Sequence, residues 1–219
     1  MILDLKLLPK PYAVIFDWDN TLVQSSKRIE LATMATLKMF DKTAIEPELV
    51  NGHLNRSVKD AFPHIFGEQA EVAKREFYNF YDNVYGYMKV EPLNYALELL
   101  QKLKDKNIYT SIVSNKRGDV LRQEVESLKW QQYFQKIVGS NDAKEDKPSK
   151  EAPLLALSGL NKLDISKTWF VGDTTVDIDC GINLECHPIL LSTDTFEAAE
   201  FNARHYYKVD TLKRLIEAI

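Results

Sequence analysis

The chain has 219 residues, 45% of them hydrophobic, and sets 28 Lys and Arg against 32 Asp and Glu for a net charge of −4. That length buries a full core without covalent staples, and scattered cations argue against nucleic acid or an anionic membrane as the main partner. Cys180 and Cys186 show neither a C-x-x-C spacing nor a neighbouring His/Cys set, which leaves no support for a disulfide framework or a zinc site and predicts buried thiols in a reducing cytoplasm.

Taken in chain order, the opening MILDLKLLPK is too short, and too interrupted by Asp4 and Lys6, to be a signal peptide, and no later run approaches membrane-spanning length. The first predicted strand is YAVIF (12–16), followed at once by Asp17 and Asp19. From 22 to 90 strand signals vanish, and RIELATMATLKMF (28–40) and QAEVAKREFYNFYDNVYGYM (69–88) repeat apolar residues at helical spacing. A span this long far exceeds a βα connection of roughly two to six residues plus a helix, so it reads as an inserted helical domain, with Pro92 at the return. Helix and strand then alternate. NYALELLQKLKDK (94–106), GDVLRQEVESLK (118–129), KEAPLLALSGL (150–160) and VDTLKRLIEAI (209–219) are predicted helices, while IYTSIV (108–113), YFQKIVG (133–139), KTWFVG (167–172) and HPILL (187–191) are predicted strands. Short, continuously apolar strands are buried on both faces of a parallel sheet. The expected fold is α/β: a doubly wound, Rossmann-like parallel-sheet core from 1–22 and 91–219, with an inserted α-helical cap domain at 23–90.

In open α/β sheets ligands bind beyond the carboxyl ends of the strands. Four such ends carry chemistry here: Asp17 and Asp19, then Ser114 and Asn115, then Lys147, then Asp173 and Asp177 in GDTTVD. Clustered carboxylates repel one another unless a cation lies between them. Hard oxygen donors favour Mg²⁺, which keeps a position for a phosphate oxygen. Ser114 and the Asn115 amide offer donors to that phosphate, and the Lys147 ammonium offsets its charge. One carboxylate is left to attack phosphorus, and the D-x-D spacing supplies a second as acid and base.

DWDNTL, VSNKR, DKPS and VGDTTVDI, in that order and each after a predicted strand, resemble the four signature motifs of the haloacid dehalogenase (HAD) superfamily, and the insert resembles the helical cap of its phosphoglycolate-phosphatase-like branch. The resemblance implies a Mg²⁺-dependent phosphatase acting on a small phosphorylated metabolite through an aspartyl phosphate. In it Asp17 is the nucleophile, Asp19 the acid/base, and Ser114 and Lys147 bind phosphate. Asp17, the Asp19 backbone carbonyl and Asp173 hold the metal, and Asp177 assists as an outer carboxylate or through Lys147. The cap closes over the substrate, excludes water and tests the leaving group. GHLNRSVKDAF (52–62) resembles a cap specificity loop, in which Arg56 reaches an anionic group of the substrate. A sugar phosphomutase uses the same core, and a receiver-like phosphoaspartate module shares some of its groups; both are kept as alternatives.

Plainer readings stand beside these. Asp177 is also an acid in a first helical turn, favoured there by the dipole. Ser114-Asn115 is ordinary capping chemistry, and Arg56 is an ordinary solvated cation. The aromatic stripe FYNFYDNVYGY (77–87) at helical spacing reads as the insert's own core. His53, His64, His187 and His205 show no ligand spacing. Glu185 falls where a C-cap glycine is expected, and what the bulky Trp18 touches is open, as are the particular phosphate ester and the oligomeric state.

Overall fold

The computed structural model describes residues 1–42, 58–86, 88–162, 164–192 and 204–219. Nine strands are described: β1 (Ile2–Leu3), β2 (Ala13–Phe16), β3 (Val23–Gln24), β4 (Glu91–Pro92), β5 (Tyr109–Arg117), β6 (Lys136–Ser140), β7 (Thr168–Gly172), β8 (His187–Leu191) and β9 (Tyr206–Val209). Seven of them form one sheet in the order β1-β9-β8-β7-β2-β5-β6, and every pairing in it is parallel. The chain starts its main strands at the centre with β2, moves out through β5 and β6, then crosses to β7 on the other side of β2. The order therefore reverses at β2, and the switch point of a doubly wound sheet is where a crevice opens for ligands.

Why these residues form these strands is visible in their burial. Ala13, Val14, Ile15 and Phe16 are all fully buried, as a central parallel strand requires. Successive side chains point to opposite faces. Ala13 and Ile15 join Val113, Val138 and Phe170 in a cluster with Ala152, Ala156, Cys180 and Leu184, so the helices Glu151–Leu157 and Thr175–Asn183 cover that face. The helix Ala96–Asp105 packs on β5 and on the helix Leu212–Ala218, with Leu99, Leu100 and Leu103 buried. The Cys180 thiol lies in the first cluster, and burial pushes its pKa well up.

The predicted strands at the centre recur with small shifts: the 133–139 run becomes a short 3₁₀ turn and then Lys136–Ser140. Two strands of this sheet, the edge strand β1 and its neighbour β9, had no expectation. β9 was masked because Tyr206–Val209 merges with the apolar start of the predicted terminal helix, which begins only at Leu212. β1 is two residues long and has no periodicity to read.

The chain divides into two compact units, Met1–Val23 with Pro92–Ile219, and Gln24–Glu91. In the second, helices Ser26–Met39, Val58–Phe66 and Ala70–Asn79 are followed by a π-helical turn, Phe80–Val84. Phe62, Phe66, Phe77 and Tyr81 are buried together in edge, tilted and stacked ring contacts. The Arg28 guanidinium lies 3.8 Å from the Tyr81 ring centroid and donates to the Tyr81 carbonyl. Phe77 and Tyr81 of the aromatic stripe thus pack within their own unit. Arg56 lies outside the described residues. No helix among the described residues is long and apolar enough to cross a membrane.

Glu185 occupies the position following the helix Thr175–Asn183 in a left-handed conformation, φ 63°. The Cys186 N–H donates to the Gly181 carbonyl at 3.0 Å and the Glu185 N–H to Ile182 at 2.9 Å, so the helix closes as glycine-terminated helices do. The side chain makes that geometry costly. Glu185→Gly is expected to raise unfolding free energy by about 1 kcal/mol, measured by urea titration; a loss of stability would mean the Glu185 side chain contributes more than the strain it causes.

Candidate active site

The site grows from the ends of β2, β5, β6 and β7. β2 stops at Phe16 and delivers Asp17, whose N–H still donates to the Val171 carbonyl of β7 at 2.8 Å. A tight turn follows: Thr21, Leu22 and Val23 all donate to the Trp18 carbonyl, and Asn20 takes a left-handed φ of 58°. On β5 the register with β6 slips between Val113 and Arg117, and the slip spans Ser114, Asn115 and Lys116. Such irregularities re-aim side chains at strand ends.

Asp17, Asp173 and Asp177 place carboxylate oxygens within 4.8 Å of one another. Into this group projects one buried ammonium, Lys147, at 2.5 Å from Asp17 Oδ1 and 2.7 Å from Asp177 Oδ1. Burial pushes the Asp17 pKa up to about 7, against the pull of Lys147 and with the repulsion of Asp177 and Asp19 added. Burial, then the charges of Asp17 and Asp177, push Asp173 well up too. For Lys147, burial acts to lower the pKa, but the combined attraction of Asp17 and Asp177 outweighs it and the group is held protonated. A shared ammonium satisfies two carboxylates only in part. Three acids share one ammonium in a poorly hydrated place, which is why Asp17 and Asp173 hold protons more tightly than free carboxylates, and once a cation displaces those protons their oxygens are the hard donors that suit a divalent ion. The donor set fits a metal ion.

Lys147 is itself held in place. The Asn115 amide brackets its backbone, accepting from the Lys147 N–H at 2.9 Å and donating to the Lys147 carbonyl at 3.1 Å. The next bond, Lys147–Pro148, is cis. Sequence reasoning offers Asn115 to phosphate; the structure puts its side chain on the loop that carries the lysine. Ser114 is buried, and its Oγ accepts from the Lys116 N–H at 3.2 Å.

Asp177 both caps a helix and meets Lys147. Its Oδ2 accepts from the Thr174 N–H at 3.0 Å and the Thr174 hydroxyl at 2.7 Å, a capping box on the helix Thr175–Asn183, while its other oxygen takes Lys147. Gly172 makes room for it: a Cβ there would lie 2.2 Å from Asp177 Cβ.

Three participants were given no role by the sequence reading. Thr21, fully buried, reaches Asp17 Oδ2 at 3.5 Å and Asp173 Oδ1 at 3.4 Å; one hydroxyl proton serves one of them at a time. The signal was present as a threonine spaced behind D-x-D. Lys116 and Glu124 are the others. The Asp19 carboxylate lies outside the triad and pairs with Lys116 Nζ at 2.7 Å, which pairs in turn with Glu124 Oε2 at 2.6 Å. Glu124 also accepts from the Trp18 indole N–H at 2.8 Å, and the Trp18 ring stands edge-on to Trp130 at 6.0 Å. Trp18 therefore has a partner on each count. The legible sign was an acid at Glu124 on the buried stripe of its helix, beside Val120, Leu121 and Val125.

A model of the family described as haloacid dehalogenase-like hydrolase matches residues 14–191, which spans every group of this site. The chain belongs to the haloacid dehalogenase-like hydrolases. It is 30% identical over 171 residues to a phosphoglycolate phosphatase of Aquifex aeolicus, covering 77% of this chain and 78% of that one. It is 26% identical over 174 residues to the pyrophosphatase PpaX of Listeria innocua, covering 78% and 79%. Among solved structures, a HAD-superfamily hydrolase from Ehrlichia chaffeensis is 26% identical with TM-score 0.64, covering 95% of each chain. A haloacid dehalogenase-like family hydrolase from Streptococcus pneumoniae, 20% identical, shares the fold with TM-score 0.78 over 94% of this chain and 96% of that one.

Removing the shared ammonium strands two buried carboxylates. Lys147→Met is expected to lose about 3 kcal/mol of stability or more by chemical denaturation at neutral pH, and Asp17→Asn added to it to restore part of the loss. A Lys147→Met protein as stable as wild type would mean water reaches these carboxylates freely.

Proposed function

We propose that this hydrolase is a Mg²⁺-dependent phosphatase that cleaves a small phosphate monoester of the phosphoglycolate kind through a phosphoaspartate on Asp17. The observation that carries the proposal is the buried Lys147 ammonium lying between Asp17 and Asp177 with the Asp173 carboxylate alongside, at the switch point of the sheet. Asp17, Asp173 and the Asp19 backbone carbonyl are assigned to the metal. When bound, Mg²⁺ supplies positive charge to the phosphoryl oxygens.

The chain's own groups account for the rest. An Asp17 oxygen attacks phosphorus as the ester P–O bond breaks, and the Asp19 carboxyl gives its proton to the leaving oxygen. Lys147, kept protonated by its two acids, faces the phosphoryl charge, and the Ser114 hydroxyl donates to a phosphoryl oxygen. In the second half the Asp19 carboxylate takes a proton from water, whose oxygen attacks phosphorus and returns Asp17 as a carboxylate with release of phosphate. Choice among leaving groups is assigned to the helical unit, which resembles a cap; Arg56 remains its candidate substrate contact.

Support for the substrate class comes from the Aquifex relative. The relatives named pyrophosphatase PpaX favour a second reading, inorganic diphosphate, in which phosphate itself is the leaving group. Assays of phosphoglycolate, other phosphate monoesters and diphosphate, each with Mg²⁺ and with chelator, separate the two. Mg²⁺-dependent release of phosphate is expected, falling to background in Asp17→Asn; unimpaired turnover by that variant would remove Asp17 as nucleophile. Asp173→Asn is expected to lose most of the rise in melting temperature that Mg²⁺ gives wild type, and an unchanged rise would place the metal elsewhere.

A further inference from the structure

We propose that Lys116 is a positioning residue: it holds the Asp19 carboxylate where a proton must be exchanged with the leaving oxygen and with water. The inference rests on the assignment of Asp19 as acid and base. Its ground is a closed ring of contacts. Asp19 bonds Lys116 at 2.7 Å, Lys116 bonds Glu124 at 2.6 Å, Glu124 accepts from the Trp18 indole at 2.8 Å, and Trp18 is joined to Asp19 by a peptide bond. The Lys116 and Glu124 side chains are 6% and 7% exposed and that of Asp19 is 18%, so the ring is shielded from competing water.

The ring answers a specific difficulty. Asp19 sits in the turn after β2, outside the sheet's hydrogen-bond ladder, and a short carboxylate there has rotamers to choose among. Efficient proton transfer demands placement to about half an ångström. A lysine alone is a poor anchor, because four rotatable bonds let its ammonium wander. Glu124 fixes that ammonium from the helix Gly118–Ser127, and the fully buried Trp18, wedged on Trp130, fixes Glu124. β2, β5 and the helix are thereby tied through one cation. Lys116 is separate in role from Lys147, whose two partners are Asp17 and Asp177.

Leaving groups test this, because a nitrophenolate departs without a proton and an alkoxide does not. In Lys116→Met, kcat/KM, which reports the steps through formation of the phosphoaspartate, is expected to fall about 100-fold on an alkyl phosphate but by no more than about threefold on para-nitrophenyl phosphate. Lys116→Arg is expected to recover most of the loss. Stabilisation by Mg²⁺ with inorganic phosphate reports independently that the fold and phosphate site persist. Should Lys116→Met fail to fold, Glu124→Gln keeps the cation but loosens its anchor, and is expected to show the same dependence at about tenfold. Equal losses of kcat/KM on both esters would overturn the proposal and mark Lys116 as a structural or phosphate-contacting group. If wild type turns over and Asp17→Asn does not, such a result removes Lys116 alone; if Asp17→Asn equals wild type, the phosphoaspartate mechanism and this role fall together.

Discussion

One ammonium between two buried carboxylates organises this protein. Lys147 meets Asp17 from β2 and Asp177 from the helix after β7, so three chain segments far apart in sequence are bound to one point. Each carboxylate is costly to bury alone, and a single lysine offsets that cost for the pair while leaving Asp173 beside them. The structure tolerates this because the surrounding elements are stiff. The central strands are buried on both faces, and the lysine loop is clamped at its backbone by Asn115. A cation that takes the place of the protons held by Asp17 and Asp173 has reason to bind here.

Two polar systems leave the D-W-D segment in different directions. Asp17 looks toward Lys147, Asp173 and Asp177; Asp19 looks toward Lys116, Glu124 and the indole of Trp18. Separating the two acids keeps each with its own cation, which lets neighbouring aspartates carry different duties. The same economy marks Asp177, where one oxygen caps a helix and the other faces the lysine. Helix capping and site geometry are thus one constraint, and Gly172 is where the strand yields space to both.

Much of this was legible before any coordinates. Continuous apolar runs marked the central strands, helical periodicity marked helices between 24 and 91, and acids, a serine and a lysine after those runs are residues that the structure brings to neighbouring strand ends. Strands β1 and β9 were not legible, because β1 is too short for a pattern and β9 shares its apolar residues with the approach to a helix. Thr21 and Glu124 were visible only as residues of an unexpected kind in a known pattern. Lys116 stood inside VSNKR but was given no role there: a lysine beside an arginine looks solvated, and only burial against two acids makes it otherwise.

By itself the sequence determined the class of fold and the chemical types that gather at the strand ends, since periodicity and residue chemistry are local properties. Which acid faces which cation, that Asn115 holds the lysine loop, and that Trp18 locks Glu124 were decided by tertiary structure. Those facts depend on distances between segments separated by up to 130 residues, and no local pattern encodes them.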